Sequence, residues 1–349
     1  MSGGAEEPDV AAEAEADELD PDALEPKGWQ KLAANSTIWI AGILLGIIVV
    51  FSLLQPTDFA SSSNIRNIAT DASVLLIIAV GSTYVIITAG IDLSVGSVLV
   101  FAGVVSAKAM NAVGGDGAGV ILVGLAVAMA GGLAWGTLNG LLITFAKIPP
   151  FVVTLGTLGM ALGVALLVTG GVDERSVPPK LVDGIGTGEL FNQIPWLVVI
   201  AAFVALVFGV ILGMTRFGRH TFAIGSNAEA AIRSGISVNA HLVKIYAIAG
   251  TLAGLAGFLN LARFGTTTIS GHSTDNLQAI AAVVIGGTSL FGGVGTIVGT
   301  VVGVFIPAVL QNGFIITGVQ PFWQQVAVGA VLIAAVYLDQ LRRRAQLRT

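Results

Sequence analysis

PWLVVIAAFVALVFGVILGM, residues 195–214, runs for twenty residues without a charge. A helix needs about 20 predominantly apolar residues to cross the hydrocarbon core of a bilayer. Backbone in that core must satisfy its own hydrogen bonds, which a helix does. Similar runs lie on both sides. Ser36–Leu54, Ala72–Ala89, Ser94–Met110, Val120–Ala146 and Phe151–Thr169 precede it, and His241–Ala262, Gly295–Leu310 and Gln320–Leu338 follow. Leu277–Leu290 is shorter and reads as a broken or partly re-entrant segment. The expected fold is all-α: a polytopic membrane helical bundle of about ten transmembrane segments over residues 36–340.

Composition points the same way. Of 349 residues 54% are hydrophobic and 11% charged, where soluble domains average roughly 25% charged. Ten of the 21 acidic residues, Glu6 to Glu25, fall in residues 1–35, with two of the 16 basic ones. That stretch is acidic, Ala-rich and without a hydrophobic period, so it reads as a disordered solvated tail. The body keeps eleven acids and fourteen bases, and the net charge of -5 belongs to the tail. Residues 341–349 read as a short basic tail.

Lys and Arg in the short loops set orientation. With the N-terminus inside and ten alternating spans, the cytoplasm receives Lys27, Lys31, Lys147, Arg216, Arg219, Arg233, Lys244, Arg342, Arg343, Arg344 and Arg348. The outside receives Arg66, Lys108, Arg175, Lys180 and Arg263. Eleven against five places both termini in the cytoplasm of a multi-pass inner-membrane protein. The longest outer loop is then Gly170–Gln193 and the longest inner one Thr215–Ala240.

Several chemistries are excluded by what the chain lacks. It has no cysteine, so disulfides, iron–sulfur clusters and thiol nucleophiles are out. The Gly286–Gly295 stretch is not followed by Gly-Lys-Ser/Thr, which removes a phosphate loop. His220, His241 and His272 have no metal-ligand spacing. No catalytic residue, metal, cofactor or nucleic-acid partner is expected. Glycines four apart, at 132, 136 and 140, at 250 and 254, and at 295, 299 and 303, let helix backbones approach closely and read as packing.

The polar groups that remain are few. Asp92 interrupts the apolar pattern in Gly90-Ile91-Asp92-Leu93-Ser94. It reads as the N-cap of the following span and as a group that binds a solute, roles that can coexist. Ser94, Asn139, Thr154, Thr157, Thr288 and Ser289 are the polar members of interrupted segments, and with Asp92 they are the expected substrate pathway. The spans also hold Asn260, Gln311 and Asn312. Hydroxyls and amides suit a neutral, many-hydroxyl solute better than an ion. In the inner loop, Gly225-Ser226-Asn227-Ala228-Glu229-Ala230-Ala231-Ile232-Arg233-Ser234-Gly235 encodes one short helix. Ser226 and Glu229 read as its capping box, Gly235 as its end, and the alanines as a thin side for a partner or the membrane surface.

At these residues the chain resembles the permease subunits of bacterial ABC sugar importers of the ribose/xylose/galactose type. The resemblance lies in Ala89–Gly96, in Asn139-Gly140 with Ile148–Thr157, in the loop Gly225–Ile236, and in Ala279–Gly293, in that order. It implies import of a ribose-, fructose- or xylose-like monosaccharide, and a pore formed with a second permease copy, a homodimer. It also implies a cytoplasmic ATP-binding subunit, an extracytoplasmic sugar-binding protein and a membrane-lipid surround. Gly225, Ser226, Asn227, Glu229, Ala230, Ala231, Arg233 and Gly235 then belong to the helix that couples to the ATPase. The chain departs from many relatives at Asn276-Leu277-Gln278, where they carry a Glu-Leu-Asp pattern. The competing readings are an ion-coupled secondary transporter, opposed by the scarcity of buried carboxylates, and a membrane-embedded enzyme.

Overall fold

A computed structural model describes residues 36–320 and six helical positions beyond them, Trp323, Val326, Gly329, Ala330, Ile333 and Tyr337. The acidic tail 1–35 and the basic tail 341–349 lie outside the described residues, as does most of the expected span Gln320–Leu338. The helices in order are α1 (Ser36–Leu54), α2 (Ser62–Ile87), α3 (Val95–Val113), α4 (Ala118–Thr144), α5 (Pro150–Thr169), α6 (Trp196–Met214), α7 (Arg216–Ser226), α8 (Ala228–Arg233), α9 (Val238–Phe264), α10 (Asp275–Ile285) and α11 (Ile297–Ile316). Between α5 and α6 stand a helical turn, Pro179–Leu181, a wide turn, Val182–Gly186, and a two-stranded antiparallel ribbon pairing Glu189 with Pro195.

Among the described residues seven helices, α2 to α6, α9 and α11, are long and apolar enough to span a membrane, and α1 and α10 are shorter apolar helices. The sequence expectation of about ten is therefore met only in part. α10, with eleven residues, reaches about 16 Å at 1.5 Å per residue, roughly half the ~30 Å hydrocarbon thickness.

α2 begins ten residues before its expected start. Ser61 caps it, its side chain accepting from Asn64 N at 3.2 Å, so the polar turns at Asn64, Arg66 and Asp71 are helical too. α2 is also the central span: 83% of its most apolar window is buried, against 22–28% for α4, α5 and α6. Around it pack α9, α6, α10 and α11.

The tightest contact joins α9 to α4, and it is made of glycine. A Cβ at Gly132 would collide with the Gly250 carbonyl oxygen, and one at Gly136 with the Tyr246 carbonyl oxygen. One at Gly140 would stand 2.7 Å from Val243 Cα. The four-residue glycine spacing thus does what it was read to do: it lets two backbones touch. α10 and α11 repeat the device, with Gly286 against Gly299 and Gly303 against Ala282.

The helix ends sort into two groups. One end carries the 170–193 loop and four cross-links between distant segments: Arg66 with Glu189, Lys108 with Glu174, Lys180 with Asp116, and Arg263 with Asp71. The opposite end carries the short helices α7 and α8. We refer to these as the long-loop end and the short-helix end.

Candidate functional site: a polar cavity and a short-helix junction

The Gly90–Ser94 interruption is a chain reversal held by buried side chains. α2 ends with Ala89 in the left-handed conformation (φ 58°), and the backbone turns back before α3. Asp92 Oδ1 accepts from Ser94 N at 2.8 Å and from Ser94 Oγ at 2.6 Å. Asn139 Nδ2 donates to Ser94 Oγ at 2.9 Å, and Thr157 Oγ1 donates to Asn139 Oδ1 at 2.7 Å. Thr154 Oγ1 donates to the Ile91 carbonyl at 3.2 Å and the Pro150 carbonyl at 2.9 Å. All five side chains are buried. They tie the reversal to α4 and α5 and spend their hydrogen bonds on one another and on nearby backbone.

One expectation is corrected here. Asp92 does not cap α3. The helix starts at Val95, its N-cap residue is Ser94, and no side chain caps it. The Asp92 carboxylate reaches only two residues forward, to Ser94, because the reversal curls it into a local turn before the helix begins.

Thr288 and Ser289 lie elsewhere, in the Gly-rich turn between α10 and α11. Ser289 N donates to the Val294 carbonyl at 3.1 Å, and Thr288 is buried against Gly295. This turn is pinned to the end of α2, where Gly293 N donates to the Ile87 carbonyl at 2.8 Å. Gly225, near the end of α7, closes on the same point: a Cβ there would collide with the Ile87 carbonyl and stand 2.6 Å from Gly293 N. The end of α2, the Gly-rich turn and α7 therefore meet backbone to backbone.

α8 projects from this junction, but its cap is not the expected Ser226–Glu229 box. Ser226 is the last residue of α7, and Asn227 is the N-cap, its side chain accepting from Ala230 N at 2.9 Å. With Asn227 as cap, Glu229 falls at the second helical position and is free to pair with Arg233 at 3.6 Å instead. The thin alanine side is also divided. Ala231 is buried against the chain, while Ala228, Ala230 and Ile232 are exposed. Ser234 bonds back to the Ala230 carbonyl at 2.9 Å, and Gly235 follows at φ 81°.

The long-loop end opens into a cavity of about 260 Å³ between α2, α9, α10 and α11. Its polar wall is mostly amide and imidazole: Asn260, His272, Gln278, Gln311 and Asn312. Asp71 and Arg263, paired across it from α2 and α9, line it as well, with Asp275 of α10. His272 Nδ1 lies 2.6 Å from Asp275 Oδ2, and its Nε2 lies 2.7 Å from Thr268 Oγ1. Reading the sequence singled out Asn260, Gln311 and Asn312 as polar span residues and Gln278 as a departure from relatives, but missed Asp71, Arg263 and His272 as wall residues. The signal was present: Asn260 and Arg263 lie three apart on one helical face, and Asp71 was cut off only because the span was started at Ala72.

A membrane protein made almost wholly of helix, with a polar well at one end and an exposed capped helix at the other, has the form of a transport protein. The chain belongs to the family described as branched-chain amino acid transport system / permease component, whose model matches residues 64–336. It is 39% identical to the ribose import permease protein of Bacillus subtilis strain 168, over 84% of this chain and 89% of that protein. It is 35% identical to the D-allose transport system permease protein of Escherichia coli K12, over 86% and 90% respectively. A probable ABC transporter permease protein of Sinorhizobium fredii is also 35% identical, over 93% of this chain and 95% of its own length. No solved structure matches the chain. The relatives give no support to the ion-coupled alternative, and they place the chain among transport subunits and not enzymes.

Proposed function

We propose that the chain is the membrane permease of an ATP-driven importer that carries a monosaccharide into the cell, and that the cavity at the long-loop end is where the sugar enters. The observation that carries this reading is the cavity wall. Its volume of about 260 Å³ is below the ~300–1,000 Å³ typical of drug-sized sites, and its amides both donate and accept. A sugar hydroxyl needs both, and the apolar part of the wall, Val74, Leu75, Phe264 and Ile315, gives the C–H face of a sugar ring a surface to lie on. The relatives named for ribose and allose favour the same class.

In this reading the long-loop end faces outward and meets a sugar-binding protein. The short-helix end faces the cytoplasm, where α8 meets the ATP-binding subunit through Ala228, Ala230 and Ile232. The Lys/Arg bias supports that orientation. Two copies pair to form the pore, about ten segments cross or enter the bilayer in each, and α10 is the half-span that floors the cavity. Asp92, Ser94, Asn139, Thr154 and Thr157 border the route by holding the reversal that shapes it. Thr288 and Ser289 serve it from the junction at Ile87.

The test is uptake by the chain reconstituted in liposomes with its cognate ATPase and binding protein. Labelled ribose, galactose, allose and leucine are supplied in turn. ATP-dependent uptake of one of the sugars, lowered by Gln278→Ala or Gln311→Ala, is the expected result. Uptake of leucine alone, or sugar uptake by the chain without the ATPase, would overturn the proposal.

A further inference from the structure

The side of α6 turned away from the bundle forms a groove with the first turns of α11, enclosing about 520 Å³. Leu206, Val210 and Met214 line one wall and Val298 and Val301 the other, and Phe222 of α7 closes the short-helix end. Leu206, Met214 and Val298 are 65%, 77% and 67% exposed. In a bilayer, exposed apolar side chains at this depth meet acyl chains. The mouth of the groove is different. α6 stops at Met214, and Arg216 and Arg219 follow at once on α7, both exposed. Arg219 lies three residues before Phe222 and so shares its helix face. Among the described residues neither arginine forms an ion pair. No acidic residue occurs between Glu189 and Glu229, and Glu229 is paired with Arg233.

We propose that the groove is a binding site for an anionic phospholipid of the cytoplasmic leaflet, with an acyl chain between α6 and α11 and the phosphate on Arg216 and Arg219. Basic groups at the cytoplasmic end of an apolar inter-helix groove offer such a headgroup both charge and hydrogen bonds. The proposal rests on the cytoplasmic placement of the short-helix end. Gly295 and Thr296 line the same groove, so a bound lipid abuts the turn that α7 and α2 hold between them. It would stiffen the junction that carries motion from α8.

The full chain in detergent, with phosphatidylglycerol or phosphatidylcholine added as mixed micelles, gives the test by thermal unfolding and by native mass spectrometry. Phosphatidylglycerol should raise the Tm by several degrees and remain bound, and phosphatidylcholine should do neither. Arg216→Gln/Arg219→Gln should lose both effects. So should Gly209→Phe, which fills the groove with the charges kept; a Cβ at Gly209 meets only the Ile297 side chain, at 3.7 Å, so the backbone has room for a side chain there, and an unchanged Tm without lipid checks the fold. Equal shifts with the two lipids would overturn the site. So would retention in the arginine variant, retention in Gly209→Phe, or a change of oligomeric state in Gly209→Phe, which would give the groove to a second copy. Impermeant labelling of a cysteine at Ser226 reports the orientation separately, so a wrong leaflet is told apart from a wrong ligand.

Discussion

At the scale of single residues, the buried network and the cavity wall make opposite demands on the same chemistry. Asn139 gives both ends of its amide to protein partners. Asn139→Ala takes away the donor to Ser94 Oγ and leaves the Thr157 hydroxyl only its longer 3.3 Å bond to the Thr154 carbonyl, and should cost about 1–3 kcal/mol. The expected result is a lower Tm, with uptake falling in step with the folded fraction. Gln278 instead borders open space. Gln278→Ala should leave the Tm unchanged and lower uptake, and measuring both quantities on both variants separates a scaffold amide from a solute amide. Glu174 carries a pH signature. Its hydrogen bond with Lys108 holds its carboxyl below the ordinary value of 4.5. A depressed carboxylate contributes stability that is present above 4.5 and lost as pH falls through its lowered value. Wild type should therefore lose its Tm advantage over Lys108→Met as pH drops below about 4.5.

At the scale of elements, glycine positions divide cleanly by what surrounds them. Gly250 faces the Gly132 carbonyl, and a Cβ there would stand 2.7 Å from Gly136 Cα. Gly250→Ala should force α9 off α4, cost about 1–3 kcal/mol or more, and lower the yield of folded protein. Gly156, also mid-helix, has nothing within 4 Å of its missing Cβ, and Gly156→Ala should be neutral in the same assay. Span ends at α1, α5 and α6 were legible in the sequence to within a residue, because apolar runs there stop at Pro, Gly or charge. The start of α2 was not, because its first turns are polar and become helical through the Ser61 cap and contacts such as Asn64 Nδ2 with Asn312 Oδ1 at 2.9 Å. The short helix of the 215–240 loop was found but misassembled. Ser226, Asn227 and Glu229 admit two caps in adjacent registers, and α7, ending at Ser226, chooses between them. The cavity was legible only in fragments, because its wall is drawn from four helices that no local pattern connects.

At the scale of the whole molecule, topology and coupling are the quantities to measure. The chain has no native cysteine, so single replacements report cleanly. Cysteine at Ser176 should react with an impermeant reagent from outside and cysteine at Ser226 should not; the reverse pattern inverts the molecule. Ala230 is exposed while its neighbour Ala231 is buried. Ala230→Trp should therefore insert and fold as wild type, yet block docking by bulk. Stimulation of the partner ATPase and sugar uptake should both be lost, and normal values for both would leave α8 without a coupling role.

The glycine seam between α4 and α9 also constrains how such a molecule can work. Where Gly132 and Gly136 meet Gly250 and Gly254, carbonyls are seated against Cα atoms with no side chain between them to change rotamer, and neither helix can slide there without a backbone clash. They behave as one stiff beam. Any alternation of access must then bend the protein along softer lines, where α10 and α11 meet α2 and where the cavity wall is closed by long polar side chains.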